Sequence, residues 1–290
     1  MKPSAFEYHA PETAEHAIAL VAELGDDAKF IAGGQSLMPM LNLRLAVFDH
    51  LVDLRKPVEL RGIERRGDRM WIGAGTTHAT IGRSAEVADA VPLLARATPL
   101  IGHFQIRNRG TLGGSLAHGD GAAEYPVVAS VLDAEIETLS PRGRRTVPAS
   151  QFFTGMWTTA LAADELLTGV LFPAWTGRCG FAIEEFARRK GDFALAGAAV
   201  AVRVDAEARI DRCAIALFGV GPTPVRCSVL GSELLGRNIT EIVAEDVGRE
   251  ALSALTTVSD DLHGPAAYRR RLATTMVTRA WRRAAEEASR

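Results

Sequence analysis

Two short runs of this sequence carry the residue types that binding an anion would need. Gly33-Gly34-Gln35-Ser36 follows the apolar, strand-like "KFIA", and Thr111-Leu112-Gly113-Gly114-Ser115 lies inside a long polar stretch. Glycine has no Cβ, so the backbone there can take positive φ and approach a ligand closely. Successive N–H groups then converge into an anion-binding nest. A helix that starts just beyond adds partial positive charge. The hydroxyls of Ser36, Thr111 and Ser115 are further donors to phosphate oxygens. Two such loops face to face would clamp both halves of a pyrophosphate. The plainer reading of each glycine pair is a tight turn.

Other chemistries are weaker in the sequence or missing from it. "GAGTTH" at 73–78 opens like a dinucleotide fingerprint but lacks its last glycine. "GVGPTP" at 219–224 has the same defect, with Pro222 where a helix would begin. There is no P-loop and no GxSxG nucleophile elbow. Cys179, Cys213 and Cys227 are scattered and odd in number. They predict ordinary reduced thiols, with neither an iron–sulfur nor a zinc centre in this chain. His103 and His118 flank the second glycine run without a nucleophile to serve, so they read as structural or polar contacts. A net charge of -2 over 290 residues argues against nucleic-acid binding. With 47% hydrophobic and 23% charged residues, the chain has enough apolar material for a globular core. No apolar stretch approaches the ~18–20 residues of a membrane span. The opening "MKPSAFEYHAPETAEHA" lacks the apolar centre of a signal peptide. The expected location is therefore the cytoplasm.

The elements that must position the two runs follow from apolar spacing. Ala14, Ala17, Ile18, Val21, Ala22 and Leu24 recur at helical intervals after Pro11, and Gly25 ends them. "DDAKFIAGG" reads as turn, strand and glycine loop, "LMPMLNLRLA" as a short helix and "HLVDL" as a second strand. These make a β-α-β unit over about 1–58. "RMWIGAGTTHATI" reads as strand, loop and a helix begun by Thr76 or Thr77. "AVPLLARATPLIG" is helical, and 106–126 is a long glycine-rich loop. "EIETLS" and "RRTVPA" pair as strands, and "ELLTGVLFP" is a strand closed by Pro173. Residues 59–176 therefore form a mainly antiparallel α+β unit. A third unit, 177–290, holds the hairpin of "LAGAAVAVRV" and "RCAIALFGVG", then a helical "ITEIVAEDVGREALSAL", then a long final helix from Pro265. The arginines of that last helix, Arg269, Arg270, Arg271, Arg279, Arg282 and Arg283, read as a solvated face. Part of it is a candidate for docking a partner chain.

"AGGQSLMPMLNLRLA", "IGAGTTHATI", "IRNRGTLGGSLAHGD", "GVGPTPVR" and "AYRRRLATTMVTRA" occur in this order. Together they resemble the FAD-binding medium subunit of the molybdenum hydroxylases, the carbon monoxide dehydrogenase and xanthine dehydrogenase family. The resemblance covers nearly the whole chain. It implies an α+β flavin fold of the vanillyl-alcohol-oxidase type, with two FAD-holding subdomains and a C-terminal domain. It also implies that Ala32, Gly33, Gly34, Gln35, Ser36 and Leu37, with Ile101, Thr111, Gly113, Gly114 and Ser115, bind FAD, the glycine motifs at its pyrophosphate. The family often has Asn at the place of Ser115, where serine keeps a donor and loses reach. Some relatives have His where Gln35 stands; Gln cannot become a covalent flavin anchor, so the FAD is expected to be non-covalent. Asp120 and Glu124 are the candidates for holding the ribose. Leu167 matches an aliphatic residue packed on the flavin ring, although from the sequence alone an ordinary core leucine is the stronger reading. Lys190, Asp192 and Phe193 match a segment near the flavin.

The same resemblance implies a large partner chain with a molybdenum pterin cofactor and a small one with 2Fe–2S clusters, as a dimer of heterotrimers. Electrons would pass from the clusters to FAD and on to an external acceptor. Substrate choice would lie in the large chain. The rival readings are a self-sufficient flavin oxidase or dehydrogenase of the same fold, and a scaffold subunit without FAD.

Overall fold

The computed structural model describes residues 2–290. Its first part is a three-stranded parallel sheet in the order β1-β3-β2, from β1 (Glu7–His9), β2 (Ala28–Ile31) and β3 (His50–Asp53). Helix α1 (Ala14–Leu24) covers one face with Ala17 and Val21 against Val52 and Ala28. Thr13 begins α1 by accepting a hydrogen bond from the His16 N–H, and Gly25 ends it at φ 69°. Helix α2 (Leu37–Asn42) lies between β2 and β3, as expected. Strand β1 was not expected. Its three residues "EYH" are polar or half-buried and show no apolar alternation.

The second part is built on a five-stranded antiparallel sheet in the order β4-β5-β10-β6-β7. Its strands are β4 (Ile63–Arg66), β5 (Arg69–Gly73), β6 (Glu135–Ser140), β7 (Gly143–Pro148) and β10 (Leu166–Pro173). The helices α3 (His78–Arg83), α4 (Ala85–Ala90), α5 (Pro92–Ala97), α6 (Phe104–Arg107), α7 (Leu112–His118) and α8 (Glu124–Val131) come between β5 and β6. Helix α9 (Ala149–Phe152) leads to a small hairpin of β8 (Phe153–Gly155) and β9 (Thr158–Thr159). Thr77, one of the two expected residues, caps α3 by accepting from the Thr80 N–H. The expected loop at 106–126 is corrected: α6, α7 and the start of α8 occupy most of it. Glycines lower helix propensity by only about 1 kcal/mol each, and here Leu112 and Leu116 are fully buried, which tips the balance to a helix.

The third part is a four-stranded antiparallel sheet, β11 (Arg178–Phe186), β12 (Ala196–Val204), β13 (Ile210–Phe218) and β14 (Val225–Arg226), in that order. Helices α10 (Ser228–Glu233), α11 (Ala244–Glu250) and α12 (Ala266–Ala288) follow. Strand β12 is buried on both faces. Ala199 and Ala201 face the core around α5 and α8, while Val200 and Val202 face Met276, Ala280 and Trp281 of α12. Its small residues let helices approach on both sides. One continuous core therefore runs from β5 through α8 to β13.

The arginine face of α12 needs one correction. Arg269 is only 4% exposed. It donates to the carbonyls of Leu195 (2.7 Å) and Gly219 (2.8 Å) and pairs with both oxygens of Asp261. It is a buried brace tying α12 to the ends of β12 and β13. Arg282 and Arg283 pair with Glu245 and Glu184 at the surface.

Candidate functional site

The two glycine runs meet. A Cβ on Gly33 would overlap the carbonyl of Arg109 and lie 2.8 Å from the Gly110 Cα. The backbone leading to the second run therefore lies directly against the first. A Cβ on Gly114 would lie 3.7 Å from that of Ala32, so the two runs also face each other one step further along.

Their backbones are used differently. Gly34 sits at φ 71°, which turns the chain out of β2. Beyond it Met38 N–H donates to the Gly34 carbonyl and Met40 N–H to that of Ser36. Among the described residues, the N–H groups of Gly34, Gln35, Ser36 and Leu37 find no acceptor in the chain. These are four successive unused donors at half-buried residues. Gln35 folds back, its Nε2 donating to the Gly33 carbonyl at 2.9 Å, and fixes the turn.

The second run is not a free nest. Leu112 N–H donates to Thr76, Gly113 N–H to Ala74 and Gly114 N–H to the Thr111 hydroxyl oxygen. A Cβ on Gly113 would stand 2.5 Å from that of Ala74. Gly113 is thus required by the packing of α7 on the loop after β5. Gly114 and Ser115 are half-buried, and the Ser115 hydroxyl has no partner in the chain. What this run offers is the exposed side of Gly114 with the hydroxyls of Thr111 and Ser115.

Sequence reasoning passed over His78, which holds the second run in place. The ring is buried, its Nε2 donates to the Thr111 carbonyl at 2.9 Å, and it packs edge-on to Tyr125. Burial pushes it down to about 4, so it is neutral. Its signal was the "GAGTTH" loop, noticed for glycines and not for the histidine at its end. His118 is half-buried, stacks on Trp157, and is also held below the ordinary imidazole value by burial.

The remaining residues fall around this junction at varying distance. Leu167 is 4% exposed and belongs to the core, beside the β10 bulge whose Thr168 carbonyl accepts from Ala74 N–H. Ile101 packs on the same core. The turn carrying Lys190, Asp192 and Phe193 joins β11 to β12, and all three are exposed. A Cβ on Gly191 would lie 2.9 Å from the Gly102 carbonyl, so this turn rests on the segment holding Ile101. Asp120 is already engaged, one oxygen accepting from Ala122 N–H (2.8 Å) and the other from Trp157 Nε1 (3.3 Å). Glu124, the first residue of α8, is 6% exposed and has no side-chain partner. Burial, and next the nearby Glu185, push it up to about 8. Glu185 itself is pushed up to about 7 by burial. The cysteines lie elsewhere, and burial raises Cys213 and Cys227 to about 12.

A parallel-sheet unit and an antiparallel-sheet unit that meet through two glycine runs, one with four free N–H donors, define a two-loop nucleotide-binding flavoprotein. Residues 4–175 match the family model of the FAD binding domain in molybdopterin dehydrogenase, and 181–284 match the CO dehydrogenase flavoprotein C-terminal domain. The chain is 41% identical over 280 residues to the carbon monoxide dehydrogenase medium chain of Hydrogenophaga pseudoflava, covering 97% of each. It is 41% identical to the nicotine 6-hydroxylase medium subunit of Paenarthrobacter nicotinovorans, over 96% of this chain and 97% of that one. Among solved structures, quinoline 2-oxidoreductase from Pseudomonas putida 86 superposes with a TM-score of 0.93 at 36% identity, covering 100% of both chains. The chain belongs to the FAD-binding medium subunits of the carbon monoxide dehydrogenase and xanthine dehydrogenase family of molybdenum hydroxylases. It is an oxidoreductase subunit whose cofactor is FAD. Among the described residues, no helix is long and apolar enough to cross a membrane.

Proposed function

We propose that this chain holds FAD non-covalently between its two glycine runs and relays electrons within a complex. Donors would be 2Fe–2S clusters in a small partner chain, fed by a molybdenum centre in a large one, and an external species would take the electrons. The observation that carries this reading is the row of free N–H groups from Gly34 to Leu37, which follows directly on the residues, Ala32 and Gly33, that abut the second run. The residues present fit a dinucleotide. Ala32 to Leu37 supply backbone donors for one phosphate. Thr111 and Ser115 supply hydroxyls for the other, across the space left by Gly114. Of the two acidic candidates, we assign the ribose to Glu124, because each Asp120 oxygen already accepts a hydrogen bond within the chain while the Glu124 carboxyl has no side-chain partner. Leu167 and Ile101 would support the ring, and the exposed turn with Lys190, Asp192 and Phe193 would cover it.

The flavin supplies the redox chemistry, while the protein supplies position and electrostatics. No side chain of this subunit is asked to act as an essential acid or base. We take residues 1–58 and 59–176 as the two FAD-holding units and 177–290 as the C-terminal one, each with its own sheet. The medium-chain relatives carry names of multi-subunit dehydrogenases, which supports a complex, and we take its assembly as a dimer of heterotrimers. Three unpaired cysteines support a reducing, cytoplasmic setting.

The test is to isolate the chain in its native complex, record the visible spectrum, denature it and identify the released cofactor. One free FAD per chain, bleached when the complex receives its reductant, is expected. A colourless chain from an intact complex would leave the glycines as turns and make the subunit a scaffold. Substrate turnover by the chain alone would replace the relay with a self-sufficient oxidase.

A further inference from the structure

Far from the glycine runs, on the small parallel sheet, Glu7, His9 and His50 bring three ligand atoms within 4.8 Å of one another. The fold places them there by register. Glu7 and His9 are alternate residues of β1, so both point to one face. His50 of β3 lies directly opposite Glu7 in the parallel ladder, so it points to that face too. His50 Nδ1 stands 3.2 Å from His9 Nε2 and 3.5 Å from a Glu7 carboxylate oxygen.

From these residues we infer a binding site for a divalent transition-metal ion, Zn²⁺ in the first instance, with a fourth position open to water. The geometry carries it. Zinc bonds of about 2.0–2.1 Å in a tetrahedron set neighbouring ligand atoms roughly 3.3 Å apart. Both measured separations from His50 Nδ1 lie within a few tenths of an ångström of that edge. The site also resolves a conflict that the protein atoms leave among themselves. His50 Nδ1 lies beside a carboxylate oxygen, which only accepts, and His9 Nε2, which donates or accepts according to its tautomer, so a single ring proton serves only one of the two contacts well. A cation at their centre satisfies all three lone pairs together. Two imidazoles and a carboxylate suit zinc, copper and nickel rather than magnesium or calcium. Glu7 is exposed, with 74% of its side chain open, while His50 is 22% open, so the ion would enter from the Glu7 side. Bound there, it would pin the three-residue strand β1 to β3 and thereby fix the start of the unit that carries the first glycine run.

The test uses the full-length, tag-free chain stripped with a chelator. Titration with ZnCl2 by calorimetry should show one site per chain and raise the melting temperature. Affinity should fall as pH is lowered, because both imidazoles must be neutral to ligate. Co²⁺ in place of Zn²⁺ should give the visible bands of a four-coordinate ion. His9→Asn and His50→Asn should each weaken Zn²⁺ binding by more than the ~10–100-fold that loss of an outer-sphere partner costs. Bound FAD should stay unchanged in both. His16→Asn, an exposed histidine outside the group, should bind Zn²⁺ as the wild type does. The Co²⁺ spectrum requires no variant, so misfolding of a mutant does not shield the idea. Six-coordinate Co²⁺ bands, no saturable site in the wild type, or wild-type affinity in His50→Asn would each overturn it.

Discussion

Four glycines occupy the two runs, and the structure assigns them different duties, which makes a graded test. A methyl group on Gly33 collides with the Arg109 carbonyl, and one on Gly113 comes within 2.5 Å of the Ala74 Cβ. Both obstacles are backbone or a Cβ anchored to it, so neither can swing away. Overpacking of this kind costs about 1–3 kcal/mol or more, or several degrees of melting temperature in a chain this long. A methyl group on Gly114 meets the Thr111 hydroxyl at 2.9 Å and otherwise only the Ala32 Cβ at 3.7 Å. The hydroxyl can rotate away, at the cost of a helix cap worth about 1 kcal/mol. Replacing glycine by alanine within a helix returns about 1 kcal/mol. The fold should therefore tolerate Gly114→Ala with almost no net change. The pyrophosphate should not, because the methyl projects into the space left for it. Thermal melts of the flavin-free chain and titration with FAD by flavin fluorescence separate the two effects. Gly33→Ala and Gly113→Ala should melt early. Gly114→Ala should melt within a few degrees of wild type yet bind FAD at least ~10-fold more weakly, about 1.4 kcal/mol. Wild-type FAD affinity in a well-folded Gly114→Ala chain would refute the pyrophosphate assignment.

Three further substitutions test the surroundings. Glu124 is raised to about 8, so the folded chain keeps a proton that the unfolded chain releases above about 4.5. Its contribution is complete below that lower value and is lost as pH rises to about 8, with a slope of up to ~1.4 kcal/mol per pH unit. Glu124→Gln should flatten that slope in urea titrations repeated across pH. His78 acts from the other side. Its neutral form is held down to about 4 from 6.5, so stability falls as pH drops through that interval. His78→Gln should remove the acid loss measured the same way. Arg269→Met leaves the Leu195 and Gly219 carbonyls without their donor and should cost about 3 kcal/mol in the urea midpoint. A cost below about 1 kcal/mol would place Arg269 back among the solvated arginines.

Much of the fold could be read along the chain because local signals and tertiary packing agreed. Gly25 ends α1, Thr77 opens α3, and the hairpin expected after the second unit is β12 and β13. The strands that were missed obey long-range demands. Strand β4, "IERR", is an edge whose charges face solvent. Strand β11 breaks alternation at Gly180, where α12 crosses so closely that a Cβ would overlap the Ala284 carbonyl, and at Glu184, which reaches Arg283. In the same way Arg269 looks no different in sequence from Arg270 and Arg271. Only the approach of β12 and β13 decides which of the three turns inward.

The site was legible to the same extent and for the same reason. Glycine is selected by any close approach to the backbone, and a sequence does not say what is approaching. At Gly33 and Gly113 it is another stretch of this chain, at Gly34 it is a positive φ, and at Gly114 it is only the Thr111 hydroxyl, at 2.9 Å from where a Cβ would stand. The two runs look equivalent on paper, yet one keeps four N–H donors free while the other spends its own on Ala74, Thr76 and Thr111. On the proposed reading, backbone donation to a pyrophosphate would come mainly from Gly34 to Leu37, and the second run would answer with side-chain hydroxyls. A serine at position 115 fits that division, because it brings a hydroxyl while its N–H is spent on the Thr111 carbonyl. The first run, whose turn is fixed by the positive φ of Gly34 and by Gln35 folding back onto Gly33, would then set where the phosphates lie.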